Sequence, residues 1–311
     1  MAGEKKEGRG GLKVWLNGRM VGYREASVPI LTHSLQYGSG IFEGIRAYGT
    51  KGGAAIFRLE DHMRRFLNTA KIHQMELGYG MEELKNAAIE AVKANGLESC
   101  YIRPFAFYDD DEIGLATGGK KVSVAIAAVP FGAYFGKGRN EGIRCKTSSW
   151  RRISSDLLPV EAKSSGNYIN SIMANREAHS AGFDEAILLS HNGYIAEGPG
   201  ENIFLAENGT LFTPARGSDI LMGITRDTLI RLARDNGIAV VEEQLHREML
   251  YSCDEAFFSG TAAELTPIVE VDGIKVGGGK VGDMTKRLAA AYSETVAGNN
   301  KTFAHWLTIV K

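Results

Sequence analysis

Four dipeptides constrain this chain more than anything else in it: Asn17-Gly18, Asn192-Gly193, Asn208-Gly209 and Asp272-Gly273, each set between apolar runs. A tight two-residue hairpin needs positive φ at both central positions, and Asn or Asp followed by Gly supplies it at the least steric cost. The pairs are spread along the chain, so antiparallel sheet is expected in both halves. Helices are interleaved with it. Over Leu59 to Met75 the residues Met63, Phe66, Leu67 and Ala70 fall at i, i+3, i+4 and i+7, and over Met81 to Asn95 the stripe is Leu84, Ala88, Ala91 and Val92, with Gly96 as terminator. Further helices are expected at Gly166 to Ala181, Ile224 to Asn236 and Asp283 to Val296, and an apolar strand at Val122 to Ala128. The mixture reads as α+β, without the regular strand and helix alternation of a parallel sheet.

A chain of 311 residues suggests about two domains. The glycine and aromatic stretch from Val129 to Gly138 breaks the pattern, and it reads either as an interdomain connection whose aromatics line a pocket or as a packed surface loop. The expected division is a small N-terminal domain over 1–130, an interdomain loop over 131–141 and a large domain over 142–311. A formal charge of −1 argues against a nucleic-acid surface and leaves small molecules as the expected partners. Cys100, Cys145 and Cys253 are odd in number and far apart, which writes neither a disulfide framework nor a metal site and suits a reducing cytoplasm. The seven histidines show no paired metal-binding spacing, so no metal is expected. Met1 to Gly11 is charged and glycine-rich and reads as a frayed tail without a signal peptide. No window approaches the ~18 consecutive apolar residues of a spanning helix, so no membrane association is expected.

Two matches mislead. Gly277-Gly278-Gly279-Lys280-Val281-Gly282 has the glycine spacing of a dinucleotide fingerprint, but the strand before it is the short return arm of the Asp272-Gly273 hairpin. It fails as a P-loop because Val281 stands where a magnesium-binding hydroxyl is needed. Asn208-Gly209-Thr210 and Asn300-Lys301-Thr302 match glycosylation sequons and mean nothing without a secretory signal.

The informative stretch is Glu161-Ala162-Lys163-Ser164-Ser165-Gly166-Asn167-Tyr168, a lysine followed by small residues and then by a helix bearing Tyr168. Alone, Lys163 would read as a solvated loop residue; its company changes that. Some thirty residues on comes Glu197-Gly198-Pro199-Gly200-Glu201-Asn202, where Glu197 alone would be a strand-end carboxylate facing water. Gly223-Ile224-Thr225-Arg226-Asp227 opens an amphipathic helix whose N-terminal end favours an anion. Ser259-Gly260-Thr261-Ala262-Ala263 offers a second turn rich in amides. Either turn by itself is equally a helix cap or a chain reversal. Strand alternation through Tyr101-Ile102-Arg103 puts Tyr101 and Arg103 on one face.

Taken in order, and together with His33 to Gly40, Phe42-Glu43-Gly44-Ile45-Arg46, His62-Met63-Arg64-Arg65, Tyr101-Ile102-Arg103-Pro104 and Ser148-Ser149-Trp150, these segments resemble the branched-chain aminotransferases of the fold type IV pyridoxal phosphate enzymes, over Val14 to near Val296. The resemblance implies a small N-terminal α/β domain and a larger C-terminal pseudo-barrel domain, with pyridoxal 5′-phosphate as cofactor. It implies transamination of L-leucine, L-isoleucine and L-valine with 2-oxoglutarate, in a homodimer or an assembly of dimers.

Residue by residue, the resemblance makes Lys163 the Schiff-base lysine and proton shuttle, since one amine can first hold the cofactor aldehyde and then carry the substrate proton. Glu197 takes the ring nitrogen, whose protonation a carboxylate favours. Tyr168 takes the phenolate oxygen, and Arg65, Ile224, Thr225 and Thr261 the phosphate. On the substrate side Arg103 takes the distal carboxylate of glutamate, Tyr37, Phe42 and Tyr101 form an apolar pocket, the Thr261 and Ala262 amides take the α-carboxylate, and Tyr134 caps the pocket from a neighbouring subunit. Arg65 is the awkward member, because it lies roughly opposite the Met63, Phe66, Leu67 stripe and would ordinarily be solvated. A D-amino acid aminotransferase or an aminodeoxychorismate lyase shares the lysine and glutamate; the motifs around Glu197 and Arg103 look like the branched-chain group.

Overall fold

The structure is a computed structural model that describes residues 9–132 and 134–311. The stretch read as a frayed tail thus lies outside the described residues as far as residue 8, and Arg9–Gly11 form a short 3-10 turn. The chain divides into two compact units. One comprises the described residues up to Phe131 with Ser164–Gly166 and Lys301–Lys311, the other Gly132–Lys163 and Asn167–Asn300.

The first unit is built on an antiparallel sheet of strands β1 (Lys13–Leu16), β2 (Arg19–Gly22), β3 (Ile41–Phe42), β4 (Ile45–Thr50), β5 (Gly53–Phe57), β6 (Cys100–Tyr108) and β7 (Val122–Val129). Spatial order runs from a last strand, Leu307–Ile309, through β5, β4, β6, β7 and β1 to β2, with β3 also on β6. At the first hairpin Asn17 has φ 48° and Gly18 φ 89°, the geometry its dipeptide predicts. Helices Leu59–Ile72 and Met81–Ala94 supply Met63, Phe66, Leu84, Ala88, Ala91 and Val92 to a core shared with Ile45, Ile56, Ile102 and Ile126 of the sheet. Each apolar stripe read from the sequence therefore faces the sheet, with Leu67 only partly buried. Alternation along β6 buries Cys100, Ile102 and Ala106 and turns Tyr101 and Arg103 to the opposite face.

The expected large domain of 142–311 needs one correction at its end. Residues 301–311 join the first unit, because Leu307–Ile309 pairs antiparallel with β5 and the Trp306 ring packs edge-on against Phe57 at 6.0 Å. The Arg58 guanidinium lies 4.9 Å from the centre of that ring, a cation–π contact.

The second unit holds β8 (Ile143–Arg151), β9 (Glu185–Leu189), β10 (Ile195–Glu197), β11 (Asn202–Glu207), β12 (Thr210–Pro214), β13 (Val240–Glu243), β14 (Glu255–Gly260), β15 (Glu264–Val271) and β16 (Ile274–Lys275). Its pairings close on themselves: β10 on β9, β9 on β8, β8 on β15, β15 on β14, β14 on β11 and β11 on β10. A ring of six strands with no open edge is a small barrel. Ile143, Cys145, Ile187, Ile195, Ile203, Leu205, Phe258 and Ile268 cluster in one core. Helix Tyr168–Ser180 covers β8 and β9, while helices Ile224–Asp235 and Asp283–Val296 pack on each other and on β14. The α+β class and the barrel-like second unit match the expected fold.

The three remaining Asx-Gly turns differ among themselves. Asn208 and Asp272, with their following glycines, take positive φ as expected, but the Asn192-Gly193 connection is longer than two residues. There β9 stops at Leu189 and β10 resumes at Ile195; Ser190 N donates to Tyr194 O, and Gly193 alone of the pair has positive φ, 86°. The glycine-rich Gly277 to Gly282 run follows β16, which is antiparallel to β15, so it lacks the parallel-strand setting of a dinucleotide fold.

Candidate active site

The second unit gathers the residues with the clearest chemistry. Lys163 Nζ donates to Tyr168 Oη at 2.6 Å, and Tyr168 is the first residue of its helix, so a helix start fixes the hydroxyl that orients the amine. Directly after Lys163 the chain joins the first unit, where Ser165 N and Gly166 N donate to the carbonyls of Gly40 and Gly38 at 2.8 and 2.9 Å.

Glu197 ends β10 and is 5% exposed. Its carboxylate accepts from Arg152 Nε at 2.6 Å, from Asn202 Nδ2 at 3.0 Å and from Leu221 N at 3.0 Å. Burial raises the carboxyl above its usual range, and the Arg152 guanidinium offsets that rise only in part. Asn202 does more than donate to Glu197, since the same Nδ2 also reaches Leu221 O at 2.8 Å. Gly223 follows two residues later, where a Cβ would lie 2.0 Å from Asn202 Oδ1, so only glycine lets this loop approach. Helix Ile224–Asp235 starts at the next residue, with Thr225 5% exposed, and a helix start with its dipole is a ready anion site. One amide side chain therefore ties the buried carboxylate to the loop that launches this helix.

The two glutamates of the Glu197 to Asn202 stretch have different environments. Glu201 is equally buried, but its carboxylate has the Gly200 N–H at 3.0 Å and no cation within hydrogen-bond reach among the described residues. Burial and the neighbouring charge of Glu185 push it up to about 8. Both carboxyls are shifted toward the neutral acid, and Glu197, with a guanidinium against it, is the better equipped of the two to hold charge.

Thr261 and Ala262 form the tip between β14 and β15, closed by Thr266 Oγ1 donating to Ala263 O at 2.8 Å. Tyr134 is 52% exposed, its ring edge-on to Phe135 at 4.8 Å.

In the first unit Phe42, Tyr101 and Arg103 come together. Arg103 Nη2 donates to Tyr101 Oη at 3.1 Å, and its guanidinium lies 4.6 Å from the centre of the Phe42 ring. Gly44 makes room, because a Cβ there would stand 2.0 Å from Tyr101 Oη. Tyr37 instead packs on His33, with ring centres 4.7 Å apart. Arg65 corrects the picture of a solvated outer face: its side chain is only 15% exposed and its Nε and Nη2 donate to the fully buried Glu43 at 2.6 and 2.9 Å.

The supporting residues were missed by the sequence reading. Glu43, His62, Glu201 and Asn202 stood inside quoted motifs without a role, and Arg152 lay just past the Ser148-Ser149-Trp150 motif. The i, i+3 spacing of His62 and Arg65 was the one local signal of a shared partner. Among the described residues no group of three or more His, Cys, Asp and Glu is placed to hold a metal ion, and no helix is long and apolar enough to cross a membrane.

A family model described as amino-transferase class IV matches residues 40–271. The chain is 46% identical over 299 residues to the branched-chain-amino-acid aminotransferase of Pseudomonas aeruginosa, covering 96% of this chain and 97% of that one. It superposes with a TM-score of 0.93 and 48% identity on the crystal structure of the branched-chain aminotransferase from Thermoproteus uzoniensis with norvaline, covering 96% of this chain and 99% of that one. A second similar structure is the branched-chain amino acid aminotransferase from Thermobaculum terrenum in its PLP-form, with TM-score 0.91, 35% identity and coverage of 96% and 98%.

Proposed function

Because this chain belongs to the class IV aminotransferases, and within them to the branched-chain-amino-acid aminotransferases, we propose that it transfers the amino group of L-leucine, L-isoleucine and L-valine to 2-oxoglutarate. The products are the branched-chain 2-oxo acids and L-glutamate. The observation that carries the reading is the pair of short contacts in one unit, Lys163 Nζ on Tyr168 Oη and Glu197 on Arg152.

Enzymes of this family depend on pyridoxal 5′-phosphate. The donor set suits it: an amine beside a phenol, a buried carboxylate with its own cation, and a helix start carrying a buried hydroxyl. When bound, the cofactor supplies an aldehyde that receives the amino group and a ring that draws off the electron pair left when Cα loses its proton. Lys163 Nζ is the group that binds the aldehyde, and as a free amine it moves the Cα proton. Tyr168 orients that amine and donates to the ring's phenolate oxygen. Glu197 holds a proton at the ring nitrogen, a task for a carboxylate that stays charged. Ile224, Thr225, Thr261 and Arg65 bind the phosphate.

For the substrate, the Thr261 and Ala262 amides take the α-carboxylate, Tyr37, Phe42 and Tyr101 an aliphatic side chain, and Arg103 the distal carboxylate of glutamate. Arg103 can serve beside an aliphatic pocket because its charge lies over the Phe42 and Tyr101 rings, so one wall is both apolar and cationic. Exposed Ile30, Leu35, Ile113 and Leu115 support a homodimer as the smallest assembly, with Tyr134 covering a neighbour's pocket. The three unpaired, buried cysteines support a cytoplasmic setting.

Purified protein should be yellow, and should convert L-leucine, L-isoleucine and L-valine with 2-oxoglutarate while leaving D-alanine untouched. Lys163→Ala should lose the yellow band and turnover together. Activity on D-alanine alone, or full turnover in Lys163→Ala, rejects the proposal.

A further inference from the structure

Glu43 lies between β3 and β4 with 0% exposure, a place where a lone carboxylate would be strongly disfavoured. Three neighbours answer it. Arg65 donates from Nε to Oε1 at 2.6 Å and from Nη2 to Oε2 at 2.9 Å, His62 Nδ1 lies 2.7 Å from Oε2, and Gly44 N donates to Oε2 at 3.2 Å. Burial alone would raise the carboxyl, but Arg65 and His62 overcome it and hold Glu43 well below the usual carboxylate range. An ionised carboxylate can only accept, so His62 must carry a proton on Nδ1 whatever its total charge. Burial holds His62 below its ordinary value while Glu43 pulls it up, and what the ring gives Glu43 in the geometry is the Nδ1–H hydrogen bond.

The arrangement follows from helix geometry, because His62 and Arg65 lie three residues apart on Leu59–Ile72 and present their side chains to one neighbour. A guanidinium is a rigid planar fork. With its Nε and Nη2 edge locked on Glu43, the direction of its Nη1 edge, which is turned away from Glu43, is set as well. A ligand that meets such a group has no arginine rotamers left to order. Glu43 also offsets part of the Arg65 charge, so what it contributes is orientation at the expense of attraction.

We infer that Glu43, braced by His62, is a positioning residue that presets the Arg65 guanidinium for the cofactor's phosphate. The inference rests on the assignment of Arg65 to that phosphate made above. It separates from a merely structural role by its selectivity, since pyridoxal and pyridoxal 5′-phosphate share the aldehyde and ring and differ in the phosphate.

The test measures dissociation constants of both compounds for the apo-protein by tryptophan fluorescence quenching and compares their ratio across variants. Glu43→Gln should cut the preference for the phosphorylated compound by about 10- to 100-fold, the worth of one or two charge-assisted hydrogen bonds, with pyridoxal affinity unchanged within about twofold. Arg65→Ala should cut the same ratio. Equal weakening of both compounds by Glu43→Gln makes Glu43 structural and overturns the inference. A raised ratio overturns it too, because it would mean that Glu43 acts on Arg65 through charge alone. If Arg65→Ala lowers the ratio and Glu43→Gln does not, the phosphate assignment stands and the positioning role falls; if Arg65→Ala leaves it unchanged, the assignment itself falls, and the inference with it. Should Glu43→Gln fail to fold, Glu43→Asp, which keeps the charge on a shorter arm, is read by the same ratio and the same criteria.

Discussion

Replacing Glu201 with glutamine should stabilise this protein by an amount that grows with pH. Glu201 is 5% exposed, and its carboxyl, at 4.5 in its ordinary state, is pushed up to about 8 by burial and by the charge of Glu185. Between those two values the folded protein binds a proton that the unfolded chain has released, so stability is fully present below the lower value and falls as pH rises through the window. Each pH unit in the window is worth ~1.4 kcal/mol, which makes the handicap of the wild-type protein on the order of 3 kcal/mol at about pH 7. Glutamine keeps an oxygen for the Gly200 N–H and has nothing to ionise. Glu201→Gln should therefore match the wild type near the acid end of the window and exceed it progressively toward the other. Urea denaturation of both apo-proteins at about pH 5, 6, 7 and 8, analysed by linear extrapolation, gives the difference at each pH. A gap that stays constant, or narrows as pH rises, refutes the claim that the fold holds Glu201 as the neutral acid, and with it the division of labour between Glu201 and Glu197.

Two further outcomes are expected. Arg103→Ala should raise KM for glutamate by about tenfold or more while changing that for leucine much less, since it removes a charge-assisted contact that one substrate alone can make; steady-state kinetics on the two substrates decides, and equal losses refute the assignment. Arg226→Met should lower stability by about 2–3 kcal/mol, seen as a lower urea midpoint, because this fully buried guanidinium donates to Thr213 Oγ1, Pro214 O and Glu242 Oε2 and methionine restores only its volume. An unchanged midpoint would show that the pinning of helix Ile224–Asp235 to β12 and β13 carries no energy.

What could be read from the chain and what could not divide along a physical line. The hairpins at Asn17, Asn208 and Asp272 were legible because the information is local: the residue that needs positive φ is the residue that tolerates it. Both N-terminal helices were legible because an apolar stripe needs only its own spacing to declare a buried face. Lys163, Tyr168 and Glu197 stood out through the motifs that contain them. Their supports did not, since Arg152 meets Glu197 across 45 residues and Arg65 meets Glu43 across 22, and neither spacing is a period of any element. For Arg65 the local rule gave the wrong environment: helical periodicity registers which neighbours on the helix are apolar and says nothing of a carboxylate delivered from between two strands. The same limit hid the difference between Glu197 and Glu201, two identical side chains four residues apart with glycines beside each. One meets a guanidinium and two N–H donors and the other a single backbone N–H, and that difference of partners, set entirely by long-range folding, decides which of them can remain charged.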